Sequence, residues 1–195
     1  MSEFSVLKDV QETLRLFLLT NIPELVGDDA ILFDSPAELS EQTSEKVSIF
    51  LYQIMENTHF KNSERELSAG NLNRLARPPL TLDLYYLVTP YGPSRERELL
   101  LTERLMLLLY DHPVLRPPLL QGSLAASGNN ELRVISHNLT FEEINKLWER
   151  FPNKSYKLSI AYLLTPVRIP STKTDDIVRV REKRVEVEPL RPALR

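Results

Sequence analysis

The first apolar pattern along the chain has the spacing of a helix. Residues 4–20 place apolar side chains on one side and charged side chains on the other, which predicts an amphipathic helix. A second helix is predicted from Arg95 to about Asp111, because Ser94 is a good N-cap residue. Its most apolar part, Leu99–Tyr110, is too short and too charged to span a bilayer. We therefore expect a core helix there.

A capping box marks the third predicted helix. The hydroxyl of Thr140 can accept from the Glu143 amide while the Glu143 carboxylate reaches back to the cap. The helix should end at Phe151-Pro152. The apolar side chains that it is expected to bury are Phe141, Ile144, Leu147 and Trp148.

Alternation of apolar residues, or enrichment in β-branched and aromatic residues, predicts strands. The predicted strands are residues 30–33, 46–57, 80–88 and 156–165. The third of these should stop at Thr89-Pro90, because proline lacks the N–H that a central strand needs.

Two further segments complete the prediction. Residues 58–79 carry few apolar side chains and end in Pro78-Pro79, which favours a loop. Two short strand-like runs, 119–125 and 131–137, flank the turn-forming residues 127–130 and indicate a hairpin. With helices interleaved among strands, we expect a single α+β domain over residues 1–169, built from a mixed sheet flanked by helices.

The composition excludes several kinds of cofactor site. The 195 residues contain no cysteine, which excludes disulfides, thiolate zinc sites and iron–sulfur clusters. The formal charge of −3 argues against a protein that coats nucleic acid. Met1–Ser5 has neither a basic start nor an apolar core. We therefore expect no secretory signal, synthesis in the cytoplasm, no nucleic-acid partner and no membrane insertion.

The charge is divided by position. From Arg168 onward there are eight basic and five acidic residues, so this end carries +3 and the rest of the chain −6. Residues 170–195 begin as a polar linker and continue as a strand-like basic arm. We predict that the arm forms a partner interface through Ile177, Val178, Arg179, Val180, Arg181, Lys183, Arg184, Val185 and Val187.

The sequence contains no recognisable catalytic or cofactor-binding motif. The histidines at 59, 112 and 137 are isolated, so no zinc-binding spacing occurs. His112 ends a predicted helix, where capping is a better interpretation than general-base chemistry. Nucleotide-binding loops and nucleophile elbows are missing from the sequence. We expect no metal, no cofactor and no enzymatic activity.

Other polar and aromatic groups have ordinary explanations. Glu142-Glu143 belongs to a cap and Asp175-Asp176 to a linker. Because the domain is acidic, packing is a better interpretation than base stacking for three tyrosines, Tyr85, Tyr86 and Tyr91. A partner-facing basic cluster is a further candidate, with a solvated charged surface as the alternative. Its members are Arg74, Arg77, Arg95 and Arg97.

A series of short motifs resembles one bacterial family. In chain order they are 47–53 (VSIFLYQ), 78–92 (PPLTLDLYYLVTPYG), 111–115 (DHPVL), 131–134 (ELRV), 138–143 (NLTFEE), 147–148 (LW) and 156–162 (YKLSIAY). The sequence resembles the tail terminator, or cap, proteins of extracellular contractile injection systems. These are phage-tail-like particles such as antifeeding prophages and Photorhabdus virulence cassettes. The resemblance covers residues 5–170.

The resemblance implies a structural role. Such a protein forms a hexameric ring at the end of the particle distal from the baseplate, where it closes the inner tube and the sheath. The implied partners are other copies of the chain and the sheath and tube subunits of the last ring, in a particle that can leave the cell. The resemblance implies no reaction. An adaptor or another structural component of a phage-like assembly is the alternative.

The basic arm has two possible destinations. Residues 177–187 could add a strand to a neighbouring terminator or sheath subunit, with the basic side chains supplying charge complementarity. The alternative is that the arm folds back as an edge strand on its own domain.

Overall fold

The computed structural model describes residues 5–39, 44–61, 66–68 and 71–176. These fall into two units, one formed by the described residues up to 61 with 79–170 and the other by residues 66–68, 71–78 and 171–176. The helices are α1 (Val6–Asn21), α2 (Arg95–Asp111) and α3 (Phe141–Trp148). The strands are β1 (Ile31–Leu32), β2 (Lys46–Glu56), β3 (Glu66–Ser68), β4 (Asn71–Ala76), β5 (Leu80–Tyr91), β6 (Val114–Leu115), β7 (Leu132–Ser136), β8 (Ile160–Ile169) and β9 (Thr174–Asp176).

The first unit is built on a six-stranded sheet in the order β1-β2-β5-β8-β7-β6. β1 pairs parallel with β2, and the other neighbours are antiparallel. A mixed sheet with three helices confirms the predicted α+β class. The second unit contains a three-stranded antiparallel sheet in the order β3-β4-β9. The predicted domain boundaries at 1–169 and 170–195 stay a prediction.

The sheet of the first unit separates two apolar clusters. On one face, α1 and α2 pack on the sheet, and Leu14, Leu105 and Tyr86 belong to this larger core. On the other face, Leu87 packs with Trp148 of α3. Successive strand residues such as Tyr86 and Leu87 point to opposite faces, which explains how one strand serves both clusters.

Local capping predictions are confirmed. The Ser94 side chain accepts from the Arg97 amide, which begins α2. Thr140 and Glu143 form the complete capping box of α3. These hydrogen bonds satisfy amides that a helix start otherwise leaves unpaired, so the sequence alone fixes where both helices begin.

Several strand predictions were wrong. The segment 58–79 is not a continuous loop, because it contains β3 and β4. β5 continues past Val88 to Tyr91, since its pairing with β8 ends at Val88 and Pro90 has only β2 as a described neighbour. β8 covers Ile160–Ile169 rather than 156–165, with Pro166 next to a register shift against β5.

The predicted hairpin was also wrong. Residues 119–121 are irregular and 122–125 form turns, while β7 pairs with β8 and β6 instead. The amide of Gln121 donates to Thr13 Oγ1 at 3.0 Å, and the Ser123 amide donates to Asp9 Oδ2 at 2.9 Å. Because these amides bond to side chains of α1, they are unavailable for a strand ladder. The Ser123 hydroxyl bonds to the same carboxylate and holds the pKa of Asp9 below its usual range.

Gly122 should be the least tolerant glycine of this loop. It has φ +59°, and an added Cβ would lie 2.4 Å from Asp9 Oδ1. Gly122→Ala should lower the free energy of unfolding by about 2–4 kcal/mol, through left-handed strain and loss of the Ser123 hydrogen bonds. Gly128 has φ +84° but open space around it, so Gly128→Ala should cost only about 1–2 kcal/mol. Equal losses in urea unfolding would contradict the proposed clash with Asp9.

Candidate assembly surfaces

The segment that leads into the predicted arm belongs to a sheet. Thr174–Asp176 forms β9 and pairs antiparallel with β4, with Ala76 opposite Thr174 and Arg74 opposite Asp176. The Arg77 amide donates to the Lys173 carbonyl at 3.4 Å. Asp175-Asp176 is therefore part of a strand and was wrongly predicted as linker. The arm residues 177–187 lie outside the described residues, so their interface role stays a prediction.

The predicted basic cluster divides between the two units. Arg74 and Arg77 belong to the second unit, whereas Arg95 and Arg97 lie in the first turn of α2. Arg97 forms an ion pair with Glu45 at 2.7 Å, and Arg95 lies 3.4 Å from a carboxylate oxygen of Glu98. Both α2 arginines thus have acidic partners in their own chain. A partner-facing role for the four arginines stays a prediction.

The histidines are dispersed. His112 is the C-cap of α2, with Nδ1 3.1 Å from the Leu108 carbonyl oxygen, as the capping interpretation predicts. His137 makes an edge-on contact with Tyr85 at 5.0 Å between ring centroids. Within the described part of the chain, no group of three or more acidic or histidine side chains could hold a metal ion. Nor is any described helix long and apolar enough to cross a membrane.

The tyrosines pack in the fold. Tyr86 and Tyr91 are buried, and the ammonium of Lys157 lies 4.6 Å from the centre of the Tyr91 ring. Burial raises the pKa of Tyr91 to about 12. Tyr85 is half-buried and tilts against Tyr52. The packing interpretation of these aromatic residues is confirmed.

The outer side of α2 differs from the prediction of a core helix. Leu101, Leu105 and Leu109 are buried, but five large apolar side chains of the same helix face solvent. We call these five the α2 stripe: Leu99, Leu100, Met106, Leu107 and Tyr110. Tyr110 is 81% exposed and Leu107 57%. Because the helix is apolar on both sides, its sequence did not show which side faces solvent.

A groove lies on the opposite side of the sheet, beside α3. It has a volume of about 720 Å³ and an apolar floor that includes Phe50, Tyr52 and Leu147. Lys146 and Arg150 also line it, and its carboxylate, Glu143, accepts hydrogen bonds from the Thr140 amide and hydroxyl, both at 2.8 Å. We call this concavity the α3 groove. Phe141, which was predicted to be buried, is 76% exposed.

Tyr52 contributes a hydroxyl without a described hydrogen-bond partner to the α3 groove. Its hydroxyl is buried and has no hydrogen-bond partner among the described residues. Burial raises the pKa of Tyr52 to about 12, so the hydroxyl stays protonated at neutral pH. A buried donor without a partner is a local free-energy cost in this fold.

The edges of the six-stranded sheet are short. β1 and β6, the two edge strands, have two residues each. β1 pairs only with Val47 and Ser48, so the remainder of β2 has no second strand neighbour among the described residues. Short edge strands limit addition of further strands, while the exposed half of β2 at Gln53–Glu56 offers one restricted site.

Comparison with known proteins identifies the family. The sequence profile of the Pvc16 N-terminal domain matches residues 9–182, which is most of the chain. The chain belongs to the Pvc16 N-terminal domain family. This confirms the resemblance seen in the motifs. A comparison with curated protein sequences finds no significant match.

Solved structures that share the fold of this chain include two terminator proteins. One is the sheath/tube terminator of the extracellular contractile injection system PVC in its extended state, with a TM-score of 0.67 and 21% identity over 95% of this chain. The other is the tube-terminating cap of the anti-feeding prophage, with a TM-score of 0.67 and 20% identity over 93% of this chain. The chain spans 64% and 62% of the lengths of those two proteins.

Proposed function

We propose that this protein is a structural terminator of a contractile phage-tail-like particle, where a ring of copies closes the last ring of inner tube and sheath. Its membership of the Pvc16 N-terminal domain family carries the proposal. The fold shared with a sheath/tube terminator and a tube-terminating cap supports it. The role is non-enzymatic and needs no cofactor.

The sheet edges fit a component that ends an assembly. A stack of identical rings keeps growing until a subunit binds its last surface without offering the same surface again. The edge strands β1 and β6 have two residues each, and the part of β2 beyond Ser48 is the longer open edge among the described residues. A terminator can therefore bind on one side and stop growth on the other.

The basic arm is proposed to dock the terminator on its neighbours. Residues 177–187 would add a strand to a sheet of a neighbouring terminator or last-ring sheath subunit, and the alternating arginines and lysines would select an acidic acceptor. The preceding strand β9 already pairs with β4 of its own chain. This pairing supplies a fixed point from which an arm could leave, and it also supports the alternative that the arm continues on its own domain.

Removal of the arm separates these alternatives. Deleting residues 177–195 keeps β9, so the truncated chain should fold normally but lose its ability to cap particles. A chain that lacks only residues 189–195 keeps the predicted strand and serves as the matched control. Capped ends would be counted by electron microscopy of purified particles. Wild-type capping by the longer deletion would show that the arm does not dock the terminator.

The location of the protein tests the terminator role itself. The full chain would be tagged in its native cell and purified gently, and the particles imaged by negative-stain electron microscopy with a label on the tag. We expect the label at one end of rod-shaped particles. Label along the rods would indicate a tube or sheath component, and rods without label would leave the adaptor alternative; either result overturns the proposal.

A further inference from the structure

The α2 stripe and the α3 groove are two surfaces of one chain that could meet only between copies. α2 packs on one face of the six-stranded sheet and α3 on the other. The stripe faces away from the core that α2 shares with α1, and the groove lies on the opposite side of the sheet. Since neither surface can reach the other within one copy, any contact between them joins different subunits.

The stripe is an exposed apolar surface that two charged side chains interrupt. Leu99, Met106 and Tyr110 form one row at helical spacing, with Glu103 between Leu99 and Met106. Leu100 and Leu107 form the neighbouring row, with Arg104 between them. From Leu99 to Tyr110 the surface extends about 16 Å along the helix. Exposed apolar side chains grouped on one side of a helix typically mark an interaction surface.

Charge favours the groove over a second α2 as the occupant. The α2 arginines already have partners, because Arg95 pairs with Glu98, Arg97 with Glu45 and Arg104 with Glu24. The exposed carboxylates of α2 have no ion-pair partner within the described ranges; they are Glu96, Glu103 and Asp111. Two stripes packed together would bring these carboxylates close to one another, which is unfavourable.

The α3 groove supplies the opposite chemistry. Its floor is aromatic and aliphatic, and the two cations Lys146 and Arg150 outnumber its one carboxylate, Glu143. The only ion pair at these two cations within the described residues joins Lys146 to the exposed Glu142.

We propose that the α2 stripe of one copy docks into the α3 groove of the next copy. This gives a heterologous contact, in which two different surfaces meet and subunits follow one another head to tail. The inference rests on the proposed function, because it assigns the contact between copies in the terminator ring. It names the surfaces used, which neither the family nor the fold specifies.

The lack of cysteine allows a direct test. Leu107→Cys places a thiol on the stripe, and Gln53→Cys places one on the rim of the groove. Each full-length single variant, and an equal mixture of the two, would be treated with a short bis-maleimide at high protein concentration. We expect a crosslinked dimer in the mixture and its loss in each single variant. Lys8→Cys, exposed on α1, replaces Leu107→Cys in the control mixture and should give no dimer.

The outcomes each decide the inference. Dimers of Leu107→Cys alone, as abundant as in the mixture, would indicate symmetric α2 pairing and overturn it. The inference would also be overturned if the mixture gave no crosslinked dimer either in solution or in purified particles that carry both variants. If the label marks particle ends but the mixture does not crosslink, the contact is wrong and the terminator role stands. If the mixture crosslinks but the label never marks an end, the terminator role is wrong and the contact stands.

Discussion

Leu105→Ala is expected to lower the free energy of unfolding by about 3–5 kcal/mol, because it removes a fully buried side chain from the larger core. Leu105 lines a cavity of about 20 Å³ together with Leu14, Tyr86 and other core residues. The substitution enlarges this space, and close packing of two helices on a sheet leaves little freedom to collapse into it. Thermal unfolding should show a midpoint lowered by roughly 6–20 °C for a domain of this size.

The matched control for Leu105→Ala lies two positions along the same helix. Leu107 has the same side chain and the same helix propensity but is 57% exposed. Leu107→Ala should change the free energy of unfolding by less than about 0.5 kcal/mol in the monomer. If the two variants were equally destabilised, the assignment of inner and outer sides of α2 would be wrong, and the proposed stripe with it.

The second large effect is expected at Trp148. The ring is 6% exposed and contacts Phe151 and Tyr156 edge-on, with centroids 5.3 and 5.6 Å away. It is the main anchor of α3 on the sheet. Trp148→Ala should therefore cost about 3–5 kcal/mol, measured by urea unfolding.

Two companion variants identify the origin of the Trp148 effect. The indole N–H has no hydrogen-bond partner within the described residues, so Trp148→Phe should retain most of the stability. Phe141→Ala, in the first turn of the same helix, removes a ring that is 76% exposed and should change stability by less than about 0.5 kcal/mol. A large loss of stability in Phe141→Ala would mean that Phe141, and not Trp148 alone, anchors α3 on the sheet.

Features that depend on a few neighbouring residues were predictable. The starts of α2 and α3 follow from Ser94 and from Thr140 with Glu143, whose hydrogen bonds close within one turn. β2 was predicted to within one residue because its β-branched and aromatic run is long. The family resemblance rested on the same elements, since its motifs are strands and caps.

Features that depend on distant residues were not predictable. β4 is the central strand of its sheet, and beside the nearby β3 it needs a second partner, β9, which comes about a hundred residues later. Residues 119–125 look like a strand, but Asp9 and Thr13 of α1 capture their amides. In both cases the backbone hydrogen bonds, and not the apolar pattern, decide the conformation.

The candidate surfaces divide in the same way. The positive charge of the arm and the apolar character of α2 are properties of the sequence alone. Exposure of the α2 stripe is not, because an apolar helix can be buried on either side until the sheet and α1 occupy one of them. The α3 groove likewise exists only because α3 covers part of its sheet face. The sequence thus determined the family, the helix starts and the long strands, through local hydrogen bonds and periodicity. Tertiary packing decided which strands pair and which apolar surfaces stay open, because those depend on groups far apart in the chain.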